Sequence, residues 1–143
     1  MRQVYRALAN LVGLMVVVQL ATIALAWFTV ISDLDDGLVL EDGFDYNAGH
    51  VLHAVVGLMI IPTLALLLLL VSFFAKVPGG VRWACFVVLA VVLQVLLAFL
   101  GFGLPAIGAL HGLNALAVAG LAGAAANRAK TPKPTDQPEP AAA

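Results

Sequence analysis

Phe73-Phe74-Ala75-Lys76-Val77-Pro78-Gly79-Gly80-Val81-Arg82-Trp83 is the stretch that decides the fold. It carries two cations, a proline and a glycine pair, and it joins two apolar runs, each long enough for the roughly 20 residues that a membrane-crossing helix needs. A basic turn between two such helices is a hairpin whose connection lies in the cytoplasm by the positive-inside rule. Working outward, Arg2 and Arg6 precede a first apolar run, and Arg128, Lys130 and Lys133 follow a last one. All seven basic residues therefore fall on one side of the membrane, and the connections around Asp36 and Gly103 contain none. The pattern predicts an all-α, up-down-up-down bundle of four transmembrane helices with both termini cytoplasmic. Its spans lie at about residues 4–31, 47–76, 81–100 and 105–127, within one domain of residues 1–128.

Composition agrees with that class. The chain is 63% hydrophobic and 10% charged, where soluble domains carry about 25% charged residues, and four spans leave no room for a soluble domain. The lipid bilayer is thus its first partner, and nothing supports nucleic-acid binding. The net charge of −1 conceals an asymmetry, because Asp33, Asp35, Asp36, Glu41, Asp42 and Asp45, six of the eight acids, fall in one outer loop. That loop reads as a solvated cap. Residues 129–143, rich in proline and alanine, read as a disordered cytoplasmic tail. Ala24-Leu25-Ala26 resembles a signal-peptidase site, but the apolar run continues through Trp27, Phe28, Val30 and Ile31, so a retained helix is expected. Asp45 or Asn47 is placed to cap the second span, Pro62 to kink it, Pro105 to open the fourth, and Trp83 to anchor the third at the interface.

The polar residues inside the spans are few and paired. Val16-Val17-Val18-Gln19 reads like Val91-Val92-Leu93-Gln94, and Leu52-His53 like Leu110-His111. A duplicated helical hairpin would relate these pairs by a pseudo-two-fold axis along the membrane normal. With a rise of about 1.5 Å per residue, His53 and His111 both lie roughly 9 Å inside the outer boundary. Gln94 approaches the same level, Asn114 lies one turn below His111, and His50 one turn above His53. In an up-down bundle spans two and four are diagonal neighbours, so His53 and His111 would face each other across the core.

Three readings of this centre stand side by side. In the first, His53 and His111 are the axial ligands of a b-type haem, with Gln94 and Asn114 beside it, and the chain is a membrane electron carrier. Small residues at Gly49, Ala54, Gly57, Gly108, Gly112 and Ala115 would make room for the porphyrin. No Lys or Arg lies outside to pair with its propionates, so the N-termini of spans two and four would have to receive them. In the second, His50, His53 and His111, with a carboxylate such as Asp45, bind zinc or copper. In the third, no cofactor is bound and the polar residues only hydrogen-bond across helices, as in a structural or assembly subunit whose partner is another membrane protein or a second copy. Enzymatic catalysis has no constellation to support it, since the acids lie in loops or the tail and Cys85, the only cysteine, lies at the cytoplasmic end.

The segments Gly49-His50-Val51-Leu52-His53 through Gly57 and Ile61-Pro62, the loop from Phe73 to Ala84, and Gly108-Ala109-Leu110-His111-Gly112-Leu113-Asn114-Ala115 together resemble a family of small four-helix membrane proteins. That family is largely actinobacterial and carries only a domain-of-unknown-function label. The resemblance covers Met1 to about Arg128 and implies a bacterial cytoplasmic (plasma) membrane location without implying an activity. In that family an Asn often follows the histidine by three positions in both spans. Here span four has it as Asn114, while span two has Val56.

Overall fold

The computed structural model describes residues 1–41 and 46–130, in an order of α1 (Arg2–Asp35), α2 (Ala48–Val55), a π-helical turn (Val56–Ile60), α3 (Ile61–Ser72), α4 (Gly80–Gly103) and α5 (Pro105–Arg128). No strand occurs among the described residues. α2, the π turn and α3 form one continuous span, so four helices are each long and apolar enough to cross a membrane. Their outward faces carry large apolar side chains from end to end, among them Leu14, Leu25, Leu66, Leu89, Phe99 and Leu113. Such a surface is stable only in a solvent as apolar as itself. Most of the predicted tail, and Asp45 with its proposed cap, lie outside the described residues.

The span boundaries follow local chemistry. α1 outruns its expected limits because nothing breaks it before Gly37. There the Gly37 N–H reaches the Leu34 carbonyl and the Leu38 N–H reaches the Asp33 carbonyl, with Gly37 at φ +100°. This is a Schellman closure, which needs a residue that tolerates a left-handed backbone. Asp33 and Asp35 therefore belong to the helix rather than to the acidic loop. At 34 residues α1 is about 50 Å long and must project beyond a hydrocarbon layer of about 30 Å. The second span ends at Ser72 rather than at residue 76, because Lys76 and Gly79 take positive φ (+52° and +68°) and turn the chain. Asn47 caps α2 as expected, its Oδ1 accepting from the N–H groups of Gly49 and His50. Pro105 takes the first turn of α5.

The four spans form a ring in which each packs on its sequence neighbours and α5 closes against α1. Buried positions trace the seams. On α1 they are Tyr5, Ala9, Val12 and Val16, and the same alternation of four and three residues continues through Gln19 to Ala26 and Val30. On α5 it runs from His111 through Ala115, Val118, Ala122 and Ala125 to Ala129. This is the spacing of a left-handed bundle. The second span runs Gly49, His53, Val56, then Ile61, Ala65, Leu68 and Ser72, so one step is five residues. The π turn fills that step, the Ile61 N–H donating to the Val56 carbonyl five residues back. Pro62 explains it: the proline ring cannot sit against the Leu58 carbonyl of a regular α-helix, and a π turn accommodates one extra residue while keeping both halves facing inward.

Packing is uneven along the bundle. The half bearing the termini holds almost the whole core, from Tyr5 to Val16, Ile61 to Val77, Ala84 to Val91 and Val118 to Ala129. It is also tied together by polar contacts. Tyr5 Oη donates to the Gly80 carbonyl (3.0 Å), Arg2 to the Lys76 carbonyl (2.9 Å), and the Arg128 guanidinium lies 5.3 Å over the Trp83 ring. Trp83, expected as an interfacial anchor, is half-buried under that cation, with its indole N–H buried and unpartnered. In the opposite half α2 packs mainly on α1, and a cavity opens between the spans. A reporter fused after Arg128 is expected to be active only in the cytoplasm and one inserted near Asp36 only outside; the reverse pattern would overturn the orientation read from the basic residues.

Candidate functional site: a cavity between two glutamine–histidine clasps

The polar side chains of the open half are joined in two matching clasps. In the first, Gln19 Nε2 on α1 donates to the His53 backbone carbonyl (3.0 Å) while His53 Nδ1 contacts the Gln19 carbonyl (3.2 Å). In the second, Gln94 Nε2 on α4 donates to the His111 carbonyl (3.0 Å) while His111 Nδ1 contacts the Gln94 carbonyl (3.0 Å). The same atom pairs recur across both hairpins, which is the pseudo-two-fold relation that the sequence suggests. Glycine permits each close approach. A Cβ on Gly49 would lie 2.6 Å from the Ala26 backbone nitrogen, one on Gly57 would collide with Gln19 Nε2, and one on Gly101 would lie 3.0 Å from the Gly108 Cα.

The clasps set the imidazole chemistry. A carbonyl oxygen only accepts, so both Nδ1 atoms carry the hydrogen and both Nε2 atoms hold a lone pair. A histidine held in this way by a backbone carbonyl is the usual arrangement of a metal-ligating one. The rings of His53 and His111 are 6.3 Å apart centre to centre, inclined at 62°. They meet across the diagonal of the ring, as expected from their shared depth. Both line a cavity of about 1030 Å³ whose other walls are mainly apolar, including Val16, Leu20, Ile23, Leu58, Phe99 and Phe102. A smaller groove of about 300 Å³ between Leu58, Pro62, Val92 and Leu96 shares wall residues with it on the lipid-facing side of the second and third spans.

The remaining sequence-predicted residues fall into three places. Gln94 lines the cavity and also reaches His111 Nε2 (3.2 Å). Asn114 supports the clasp from behind, donating to the Ala90 carbonyl (2.9 Å) and to Gln94 Oε1 (2.7 Å). His50 lines the cavity nearer its end but does not complete a metal set with the other two. No group of three His, Cys, Asp or Glu residues able to hold a metal occurs among the described residues. The reason is local: His50 Nδ1 is engaged by Asn47 Oδ1 (3.2 Å), and its ring is packed between Trp27 and Tyr46, each 5.4 Å away. Sequence reasoning left Gln19, Trp27 and Tyr46 out of the site. The Gln19–Gln94 repeat was the available signal for the first.

The clasps differ in the contact between Gln94 and His111 Nε2, which Gln19 and His53 do not repeat, and in the residue behind the glutamine. Val56 stands where Asn114 stands in the second hairpin, and Gln19 Oε1 is buried without a hydrogen-bond partner. Val56→Asn is therefore expected to be tolerated within about 1 kcal/mol, its lost packing offset by a new bond to Gln19. Asn114→Val, which orphans Gln94 Oε1 in the same way, is expected to cost about 1–2 kcal/mol. Thermal unfolding of both variants in detergent checks the pair, and a large loss for Val56→Asn would contradict the equivalence.

Fold and site define a class, a four-helix membrane protein with a ligand-sized cavity that two anchored histidines face. No protein-family model matches the chain, and neither a curated protein nor a solved structure was found to be similar to it.

Proposed function

We propose that the chain is a small b-type haem protein that handles electrons in the bacterial cytoplasmic membrane, with His53 and His111 as the axial ligands. The supporting observation is the pair of Nδ1-anchored imidazoles with centres 6.3 Å apart beside a cavity of about 1030 Å³. His53 and His111 would hold the haem through the Nε2 atoms that the clasps leave unprotonated. The cavity is at the upper end of the size range of small-molecule sites. Haem bound there would supply one-electron transfer. The chain's own residues do the rest. Gln19 and Gln94 hold the backbone of each histidine helix and orient the rings, and the apolar walls would exclude water.

A second reading, a non-enzymatic structural or assembly subunit, draws on α5. Gly112, Gly120 and Gly123 have open space where a Cβ would lie, so another helix could approach closely there. The zinc or copper reading lacks an assembled donor set. The test is the content of protein purified from haem-replete cells. The haem reading expects a red preparation with haem by pyridine haemochrome assay and substoichiometric zinc and copper by elemental analysis. A colourless, metal-free preparation supports the subunit reading and rejects haem.

A further inference from the structure

The cavity has walls that belong equally to the outside of the bundle. Val51, Val55 and Leu58 on the second span and Phe99 and Phe102 on the third line it, and each is also exposed at the molecular surface. The lipid-facing groove at Pro62, Val92 and Leu96 continues this gap toward the packed half, sharing Leu58 and Val95 with the cavity. Hydrocarbon surrounds such side chains in a membrane, so the gap gives on lipid, and a molecule that uses it must first dissolve in the bilayer. The walls suit an apolar tail, but one polar group makes a demand of its own. Asn47 Nδ2 donates to the Ala26 carbonyl (2.9 Å), which turns its Oδ1 toward His50. That oxygen only accepts, so His50 Nδ1 carries the hydrogen and the neutral ring presents a lone pair at Nε2. A lone pair in apolar surroundings is satisfied by a donor: a hydroxyl meets it, whereas a ketone, ester or carboxylate does not. Trp27 and Tyr46 pack on the His50 ring, and Phe99 and Phe102 stand in the last turns of α4 at the same end.

We infer that the cavity takes up a quinol-type lipid from the bilayer, whose tail lies in the gap between the second and third spans and whose phenolic hydroxyl donates to His50 Nε2. An aliphatic lipid alcohol shares the donor but lacks the flat ring that the aromatic side chains at this end are shaped to pack against. The site uses neither of the proposed iron ligands, and its occupation does not require haem. A pocket that pairs with a hydroxyl discriminates against an analogue lacking it, because the acceptor is then left unpaired away from water.

The test measures binding of radiolabelled 2-decylhydroquinone to the full chain in lipid nanodiscs under anaerobic conditions, with empty nanodiscs as the blank. Saturable binding is expected, with the dimethyl ether of the same compound competing about tenfold or more weakly and dodecanol at least as weakly as the ether. A hydroquinone with a long polyisoprenoid tail, too bulky to be enclosed, is expected to compete as well as the decyl compound, because its tail stays in lipid. His50→Phe, which keeps an aromatic ring between Trp27 and Tyr46, is expected to lose the preference for hydroquinone over ether. Should that variant fail to elute as a monodisperse species, the wild-type ratio and the comparison of tails decide alone. No saturable binding, equal competition by hydroquinone and ether, an undiminished preference in His50→Phe, or exclusion of the long-tailed compound overturns the inference, and competition by dodecanol equal to that of the hydroquinone overturns the quinol assignment in favour of a lipid alcohol. None of these outcomes bears on the haem reading, and a colourless preparation that binds the hydroquinone rejects haem while upholding this site.

Discussion

If His53 and His111 hold haem as proposed, His53→Ala and His111→Ala are each expected to retain less than about a tenth of the haem of wild type and to lose the spectrum of a bis-histidine haem, since each would remove one of the two proposed ligands. The same substitutions should cost the cofactor-free protein little. Each deletes one Nδ1–carbonyl contact of a clasp, and interhelical hydrogen bonds in membranes are worth about 0.6 kcal/mol on average. The two readouts therefore separate. His50→Ala, outside the ligand pair, should leave the band positions where they are. Loss of zinc or copper from all three variants together would instead indicate a metal site built on His50 as well. Haem retained in both the His53 and the His111 variant would reject the ligand assignment.

Gly49→Ala should be the most damaging substitution for the fold. The added methyl would lie 2.6 Å from the Ala26 nitrogen and 2.8 Å from both the Ala26 Cα and the Thr22 carbonyl oxygen. All three are backbone atoms of α1, so no side chain can rotate away and the helices themselves must separate. Overpacking of this kind costs about 1–3 kcal/mol and sometimes more; the upper part of that range is expected, with weakening of the Gln19–His53 clasp one turn deeper. Gly120→Ala is the control, because its new methyl meets nothing within 4 Å and alanine favours a helix by up to about 1 kcal/mol. Thermal unfolding in detergent should rank Gly49→Ala far below wild type and Gly120→Ala at or above it. Equal behaviour of the two would mean that α1 and α2 do not approach as closely as described.

Four spans, the Asn47 cap and the Pro105 start were legible in the sequence because each depends on a local cause, hydrophobic length or a cap residue. The shared level of His53 and His111 was legible too, since it needs only helix rise. The ends of α1 and α3 were read less well. Charge did not stop α1, while backbone conformation at Gly37, Lys76 and Gly79 set the ends. The π turn leaves a trace in the sequence, the five-residue step from Val56 to Ile61, which becomes visible once the seam of the other spans is known. The cavity leaves none. It arises because α2 leans mainly on α1, and the spacing between helices is a property of four packed faces. The reciprocal Gln–His clasps also depend on that spacing, which is why paired residues could be picked out but not the atoms that join them.

Low-temperature electron paramagnetic resonance of the oxidised full chain, purified from haem-replete cells, tests most directly the proposal that His53 and His111 hold one haem. Two strong-field imidazole ligands predict a low-spin ferric signal integrating to one spin per chain. A high-spin signal, or none from a preparation made with haem in supply, would contradict it.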